Sequence, residues 1–93
     1  MAGICLIVNI HGLVQGVWYR ESTKNKALEL GVAGWVKNLA DGSVEACMQG
    51  DEEAVRGLLA WCHEGPPMAR VERVETWECP PGGERHADFR VLR

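Results

Sequence analysis

A glycine-punctuated segment that ends in an arginine carries the clearest chemical signal in this chain. It spans residues 12–20, with the sequence GLVQGVWYR. Gly16 has no Cβ, so the backbone there can approach a ligand closely. The guanidinium of Arg20 is a planar fork suited to two oxygens of one anion. Because the segment leaves a predicted strand and enters a predicted helix, its free N–H groups favour a negative charge, and we predict a tetrahedral-anion cradle.

A second segment, residues 34–38 (GWVKN), ends in an asparagine that can hold a water. The carboxamide of Asn38 both donates and accepts hydrogen bonds, as positioning a water requires. Each segment taken alone also has a structural explanation, since glycines serve turns and an asparagine near a turn often satisfies local backbone. His11, which flanks the first segment, is a candidate base, although a strand-end histidine is the simpler interpretation.

Composition and charge limit the class of protein. The chain has 93 residues, of which 46% are apolar, and this predicts one small domain over residues 1–93. A net charge of −3 argues against a nucleic-acid or anionic-membrane binder. The sequence has no run of about 18 apolar residues that would predict a membrane span. The apolar residues 4–8 are interpreted as a core strand rather than a signal peptide, so we expect a cytoplasmic protein.

The hydrophobic pattern and the turn signals predict an α+β, ferredoxin-like sandwich. The strands are expected at residues 4–10, 34–39, 43–49 and 71–78, a fifth short strand at 88–92, and helices at 20–30 and from a capping Asp51 to a stop at 65–67. The order β-α-β-β-α-β gives an antiparallel sheet of four to five strands with two helices on one face. RNA-binding modules share this order, but the aromatic strand on which they stack bases is missing here.

The cysteines give weaker signals. They lie at positions 5, 47, 62 and 79, without a CxxC pair, so zinc is poorly supported and reduced thiols are expected. Cys5 and Cys47 fall on neighbouring predicted strands, on the face away from the helices. A disulfide between them stays open as an alternative if their Cα atoms come within about 7 Å.

Residues 79–85 (CPPGGER) have the C-x5-R spacing of cysteine-dependent phosphatases. A phosphate loop of that kind needs consecutive N–H groups, and the two prolines at 80 and 81 have none. This segment is therefore expected to be a turn-rich surface loop.

Taken together, the two segments resemble the paired signatures of the acylphosphatase family. The matching residues are Gly12-x-Val14-Gln15-Gly16-Val17-x-Tyr19-Arg20 and Gly34-Trp35-Val36-Lys37-Asn38-x-x-x-Gly42-x-Val44-(five residues)-Gly50. Thr23, Gly31 and Phe89-x-Val91 extend the similarity along the chain. The resemblance implies metal-independent hydrolysis of the carboxyl–phosphate bond of acyl phosphates, which yields a carboxylate and inorganic phosphate.

The resemblance also implies roles for individual residues. Arg20 binds the phosphate, and Asn38 orients the attacking water. The phosphoryl oxygens are surrounded by backbone amides of Gln15, Gly16, Val17, Trp18 and Tyr19. No role is assigned to the Trp18 side chain. The expected partners are small acyl phosphates and inorganic phosphate, with no cofactor, metal, nucleic acid or membrane, and we expect a monomer.

So sparse a site suits this chemistry. The leaving group of an acyl phosphate is a carboxylate, a weak base that needs no general acid. A loose phosphoryl-transfer transition state needs mainly positioning and charge stabilisation, which amides and one arginine provide. The alternatives are a non-catalytic anion-binding module and specialised action on carbamoyl phosphate within a larger maturation system.

Overall fold

The computed structural model describes residues 3–92, and its elements follow the predicted order. The strands are β1 (Gly3–Leu13), β2 (Ala33–Asn38), β3 (Val44–Asp51), β4 (Arg70–Glu78) and β5 (Phe89–Val91). The helices are α1 (Tyr19–Leu30) and α2 (Glu52–Cys62). Within residues 3–92, no helix has the length and apolarity needed to cross a bilayer.

The five strands form one sheet in the order β4-β1-β3-β2-β5. β1 lies antiparallel between β3 and β4, and β2 is antiparallel to β3, as the ferredoxin-like prediction requires. β5 is parallel to β2, so the complete sheet is mixed rather than antiparallel. The reason is that β4 ends at the end of the sheet where β2 begins. The loop after β4 crosses the sheet to the start of β2, and β5 then runs opposite to β4 and in the same direction as β2.

The core lies between the helices and one face of the sheet. α1 contacts β2 and β5, and α2 contacts β1 and β3. The apolar strand side chains in the core include Val8, Ile10, Val44, Ala46 and Met48, and α2 contributes Val55 and Leu58. The predicted capping interaction of Asp51 is wrong in detail, because Asp51 occupies the N-cap position of α2 without a side-chain cap hydrogen bond.

β1 extends beyond its predicted end at residue 10. The register with β4 shifts between His11 and Gly12, and the strand then continues to pair with Val71 and Arg70. Gly12 has φ 132°, and a Cβ there would contact the carbonyl oxygen of Arg70. Gly12 is therefore needed for close approach of two strands, and the predicted end of the strand at residue 10 is wrong.

The structure does not form the disulfide between Cys5 and Cys47. Cys5 is bonded to Cys79 instead, with the Cα atoms 5.3 Å apart. In the strand register Cys5 faces Gln49 and Cys47 faces Ile7, so the two cysteines sit diagonally on neighbouring strands. Cys79 follows β4, and its N–H donates to the carbonyl of Cys5 at 3.0 Å. Cys47 and Cys62 are free and buried, so the expectation of reduced thiols fails for the bonded pair.

Candidate active site

The loop between β1 and α1 has an unusual backbone. Gly16 has φ 74° and Trp18 has φ 66°, both in the left-handed region. A non-glycine residue in this conformation is uncommon and often marks a functional site. Trp18 is the N-cap residue of α1, and the first helical bond runs from the Ser22 N–H to the Trp18 carbonyl at 3.0 Å. The loop therefore leads directly into the positive end of a helix dipole.

The side chain of Gln15 ties this loop to the β2–β3 hairpin. Its Nε2 donates to the carbonyl oxygens of Leu39 and Ser43, each at 2.8 Å. Asn38 ends β2, so these bonds bring the loop close to Asn38. Sequence reasoning assigned only the backbone amide of Gln15 to the site and missed this clamp. No local signal in the sequence identifies the carbonyls that it reaches.

The hairpin that carries Asn38 is held by its own hydrogen bonds. The Leu39 N–H donates to the Ser43 carbonyl at 2.8 Å. Asp41 Oδ1 accepts from the hydroxyl of Ser43 at 2.6 Å and from its N–H at 2.9 Å. These two bonds hold the pKa of Asp41 below its ordinary value, and the bond from the Ser43 hydroxyl has the larger effect. Asn9 Nδ2 also donates to Ser43 Oγ at 3.2 Å, which anchors the turn to β1.

Arg20 is half-buried, and its guanidinium is oriented by the segment that follows β5. Its Nη1 donates to the carbonyl of Leu92, just beyond β5, at 3.0 Å. This contact occupies one of several guanidinium N–H donors, so others stay available to an anion. β5 thus positions Arg20 as well as completing the sheet.

Tyr19 contributes its backbone to the loop and its side chain to the core. The hydroxyl donates to the carbonyl of Cys62 at 2.7 Å, and the ring centroid lies 5.7 Å from that of Trp61. Burial, with a smaller contribution from Cys62, raises the pKa of Tyr19 far above its ordinary value. The phenol is therefore unsuited to proton transfer near neutral pH.

Arg20 and Asn38 both line one surface pocket with a volume of about 400 Å³, which we call the phosphate pocket after the role proposed for it below. Its lining residues are Val14, Gly16, Trp18, Tyr19, Arg20, Glu21, Asn38 and Val91. Five predicted site residues are among them. The two others, Gln15 and Val17, lie outside the lining, where Gln15 forms the clamp and Val17 packs against the core. Glu21 was not predicted, and it brings a negative charge to the pocket.

His11 lies elsewhere. Its Nε2 is 3.0 Å from Glu75 Oε1, across the β1–β4 pair, and it does not line the phosphate pocket. The structure thus places His11 in a strand-to-strand contact inside β1, two residues before the end of the strand.

The structure is a ferredoxin-like α+β domain with a surface pocket at the start of its first helix. Comparison with known proteins gives the family. The family model of acylphosphatases matches residues 6–91. An acylphosphatase of Methylococcus capsulatus is 54% identical over 86 residues, which cover 92% of each chain.

Solved structures agree with this assignment. An acylphosphatase from Coxiella burnetii is 43% identical with a TM-score of 0.90, over 97% of this chain and 93% of that one. The acylphosphatase of Bacillus subtilis is 30% identical with a TM-score of 0.91, over 97% and 99%. This chain belongs to the acylphosphatase family and is an enzyme of that family.

Proposed function

We propose that this chain hydrolyses the carboxyl–phosphate bond of acyl phosphates, releasing a carboxylate and inorganic phosphate, by water attack at phosphorus without a metal ion. The observation that carries the proposal is that Arg20 and Asn38 line one pocket at the start of α1. The phosphoryl group binds there, between the guanidinium and the loop amides of residues 15–19. The carboxamide of Asn38 holds the water.

Arg20 supplies the fixed positive charge. Its bond to the Leu92 carbonyl at 3.0 Å orients the guanidinium before substrate arrives. The remaining donors bind two phosphoryl oxygens, and charge-assisted bonds of this kind are about twice as strong as neutral ones. Because the group is already oriented, little reorganisation is needed as negative charge redistributes in the transition state.

Asn38 orients the attacking water toward phosphorus. It is exposed at the end of β2, beside the loop that Gln15 clamps to the hairpin. In our proposal Asn38 Oδ1 accepts a hydrogen bond from the water, which turns a lone pair toward phosphorus. Positioning of this kind replaces the chance encounter of water and substrate in solution.

The titratable residues of the pocket fit a mechanism without a general acid. The titratable residues that line it within residues 3–92 are Tyr19, Arg20 and Glu21. The phenol of Tyr19 is buried and donates to the Cys62 carbonyl, so it is committed elsewhere. The leaving carboxylate needs no proton, and in the proposal the proton of the water passes to a phosphoryl oxygen of the substrate.

The open form of the pocket supports broad acceptance of acyl groups. The side chain of Trp18 is 77% exposed at its edge. Short loops and the half-buried Val91 leave little wall to distinguish one acyl group from another. We expect the enzyme to recognise the phosphate and to tolerate different carboxylates.

The test is hydrolysis of benzoyl phosphate in the presence of EDTA by the wild type, Arg20→Ala and Arg56→Ala. Arg56 is an exposed arginine on α2, paired with Glu52 at 2.9 Å, and serves as the matched control. We expect Arg20→Ala to lower kcat/KM by about 100- to 1000-fold and Arg56→Ala to leave it unchanged. Circular dichroism establishes that both variants are folded. A folded Arg20→Ala variant with near-normal turnover would contradict the mechanism.

A further inference from the structure

Three cysteines from distant parts of the chain meet on the sheet face away from the helices. The sulfur atoms of Cys5, Cys47 and Cys79 all lie within 4.8 Å of one another, and we call this group the cysteine cluster. Cys5 Sγ and Cys47 Sγ are 3.8 Å apart. In a tetrahedral zinc site with Zn–S bonds of about 2.3 Å, two sulfurs are about 3.8 Å apart. Cys5 and Cys47 thus already have the spacing of two zinc ligands.

A histidine lies beside the cluster. His86 Nε2 is 3.7 Å from Cys47 Sγ, but it lies outside the group of ligand atoms that are all within 4.8 Å of one another, so it must move closer to complete a four-ligand site. Gln49 holds His86 in place, since its Oε1 accepts from the His86 N–H at 2.7 Å and its Nε2 donates to the Glu84 carbonyl at 3.0 Å. Cys5, Gln49 and His86 line one surface pocket, which gives an ion access to Cys5, whereas Cys47 and Cys79 are not in its lining.

The charges around Cys47 favour a cation. The carboxylates of Glu45 and Glu84 lie close enough to act on Cys47, and a bound divalent ion would offset their negative charge. Arg85 also lines the pocket, but it is exposed and its long side chain can extend into solvent.

From this geometry we propose that the reduced protein binds a thiophilic divalent cation through the thiolates of Cys5, Cys47 and Cys79 and the imidazole of His86. Zn²⁺ is the cation that fits a Cys₃His set. In the oxidised protein the sulfurs of Cys5 and Cys79 are bonded to each other, so the disulfide and the metal site are alternative states of one cluster.

Reduction converts the disulfide state into the metal-binding state. A dithiol supplies two electrons, the Cys5–Cys79 bond breaks, both cysteines become thiols, and the dithiol becomes a disulfide. The cation then bonds to three sulfurs and one imidazole nitrogen, and the three thiol protons pass to solvent. Metal binding to the reduced protein therefore releases up to three protons.

The cysteine cluster is remote from the phosphate pocket. Cys5 lies near the start of β1, whereas the phosphate-pocket loop follows Leu13 at its other end. Eight residues of strand separate the two by roughly 26 Å. Metal bound at the cluster therefore does not touch the reacting groups, and its readout is spectroscopic rather than catalytic.

The experiment is an anaerobic titration with Co²⁺, followed by displacement with Zn²⁺, on protein reduced with a dithiol and then freed of it. We expect thiolate-to-cobalt charge-transfer bands and the intense visible bands of tetrahedral Co²⁺ in the reduced wild type, and neither in the oxidised protein. Cys47→Ser should weaken Co²⁺ binding by on the order of 100-fold, because it removes one of four ligands. Cys62→Ser is the matched control, a buried free cysteine outside the cluster, and it should bind as the wild type does.

His86→Ala tests the fourth ligand, with His63→Ala as its control, since His63 is exposed at the end of α2. Cys79→Ser replaces Cys47→Ser if circular dichroism shows that the latter does not fold. The proposal is overturned if the reduced wild type gives no cobalt–thiolate bands, or if folded Cys47→Ser or Cys79→Ser binds as the wild type does. Unchanged affinity in His86→Ala would remove His86 from the site.

Discussion

The phosphate pocket and the cysteine cluster lie at opposite ends of β1 and are specified in different ways. The phosphate pocket uses a contiguous loop, residues 12–20, and one asparagine from the next strand. The cysteine cluster collects residues from β1, β3 and the loop after β4. The first depends on local backbone geometry and the second on strand register. A sequence motif can identify a site that is built from a contiguous loop. A site that depends on strand register is recognised only in the assembled sheet.

The largest effect that separates the two regions is expected from Asn38→Ala. Loss of the water-orienting carboxamide should lower kcat for benzoyl phosphate by about 100- to 1000-fold, while inhibition by inorganic phosphate changes little. Asn25→Ala, an exposed asparagine on α1, is the control. Cobalt binding by the cysteine cluster should be unaffected. A large rise in the inhibition constant for phosphate with unchanged kcat would assign Asn38 to phosphate binding instead.

The next largest effect is expected from reduction of the disulfide, which should lower stability without changing turnover. Cys5 and Cys79 are separated by 74 residues, so their bond constrains much of the unfolded chain. Reduction in the presence of EDTA should lower the free energy of unfolding by about 2–4 kcal/mol in urea titrations. Turnover well below the unfolding midpoint should stay unchanged. Loss of activity in the folded, reduced protein would show that the two ends of β1 are coupled.

Two glutamine variants test whether the two sites are independent, and their expected effects are smaller. Gln15 clamps the phosphate-pocket loop through two bonds of 2.8 Å, and Gln49 clamps the loop that carries His86 through bonds of 2.7 and 3.0 Å. Gln15→Ala should cost about 1–3 kcal/mol of stability and lower kcat/KM, with cobalt binding intact. Gln49→Ala should weaken cobalt binding and leave kcat/KM intact. If both variants changed both properties, the independence of the regions would be refuted.

The smallest effect concerns charge within the phosphate pocket. Glu21 lines it and repels an anion, so Glu21→Gln should tighten inhibition by inorganic phosphate about two- to fivefold at low salt. The gain should shrink as ionic strength rises. Glu53→Gln, in the first turn of α2, is the control. Weaker inhibition in Glu21→Gln would mean that this carboxylate supports the site rather than opposing it.

Local signals predicted most of the fold. The alternation of β1, the Asp41-Gly42 turn and the glycine after α1 gave the element order, and Gly31 is indeed the left-handed C-cap residue of α1. The loop after β4 has no periodicity, so its crossing of the sheet was not predictable. The parallel pairing of β5 and the Cys5–Cys79 bond both depend on that crossing.

The same division applies to the phosphate pocket. Arg20 and Asn38 belong to local motifs, and both line the phosphate pocket. The Gln15 clamp, the Leu92 carbonyl on Arg20 and the presence of Glu21 depend on tertiary contacts. Their chemical roles in turnover stay predictions, for which the variants above are the test.

Water attack at phosphorus is tested most directly by following the oxygen of the attacking water. Benzoyl phosphate is hydrolysed by the wild type in ¹⁸O-labelled water with EDTA, and the products are analysed by mass spectrometry. If the phosphate pocket binds the phosphoryl group and directs water to phosphorus, the label enters inorganic phosphate and the benzoate is unlabelled. Label in the benzoate would show attack at the carbonyl carbon and would contradict the account.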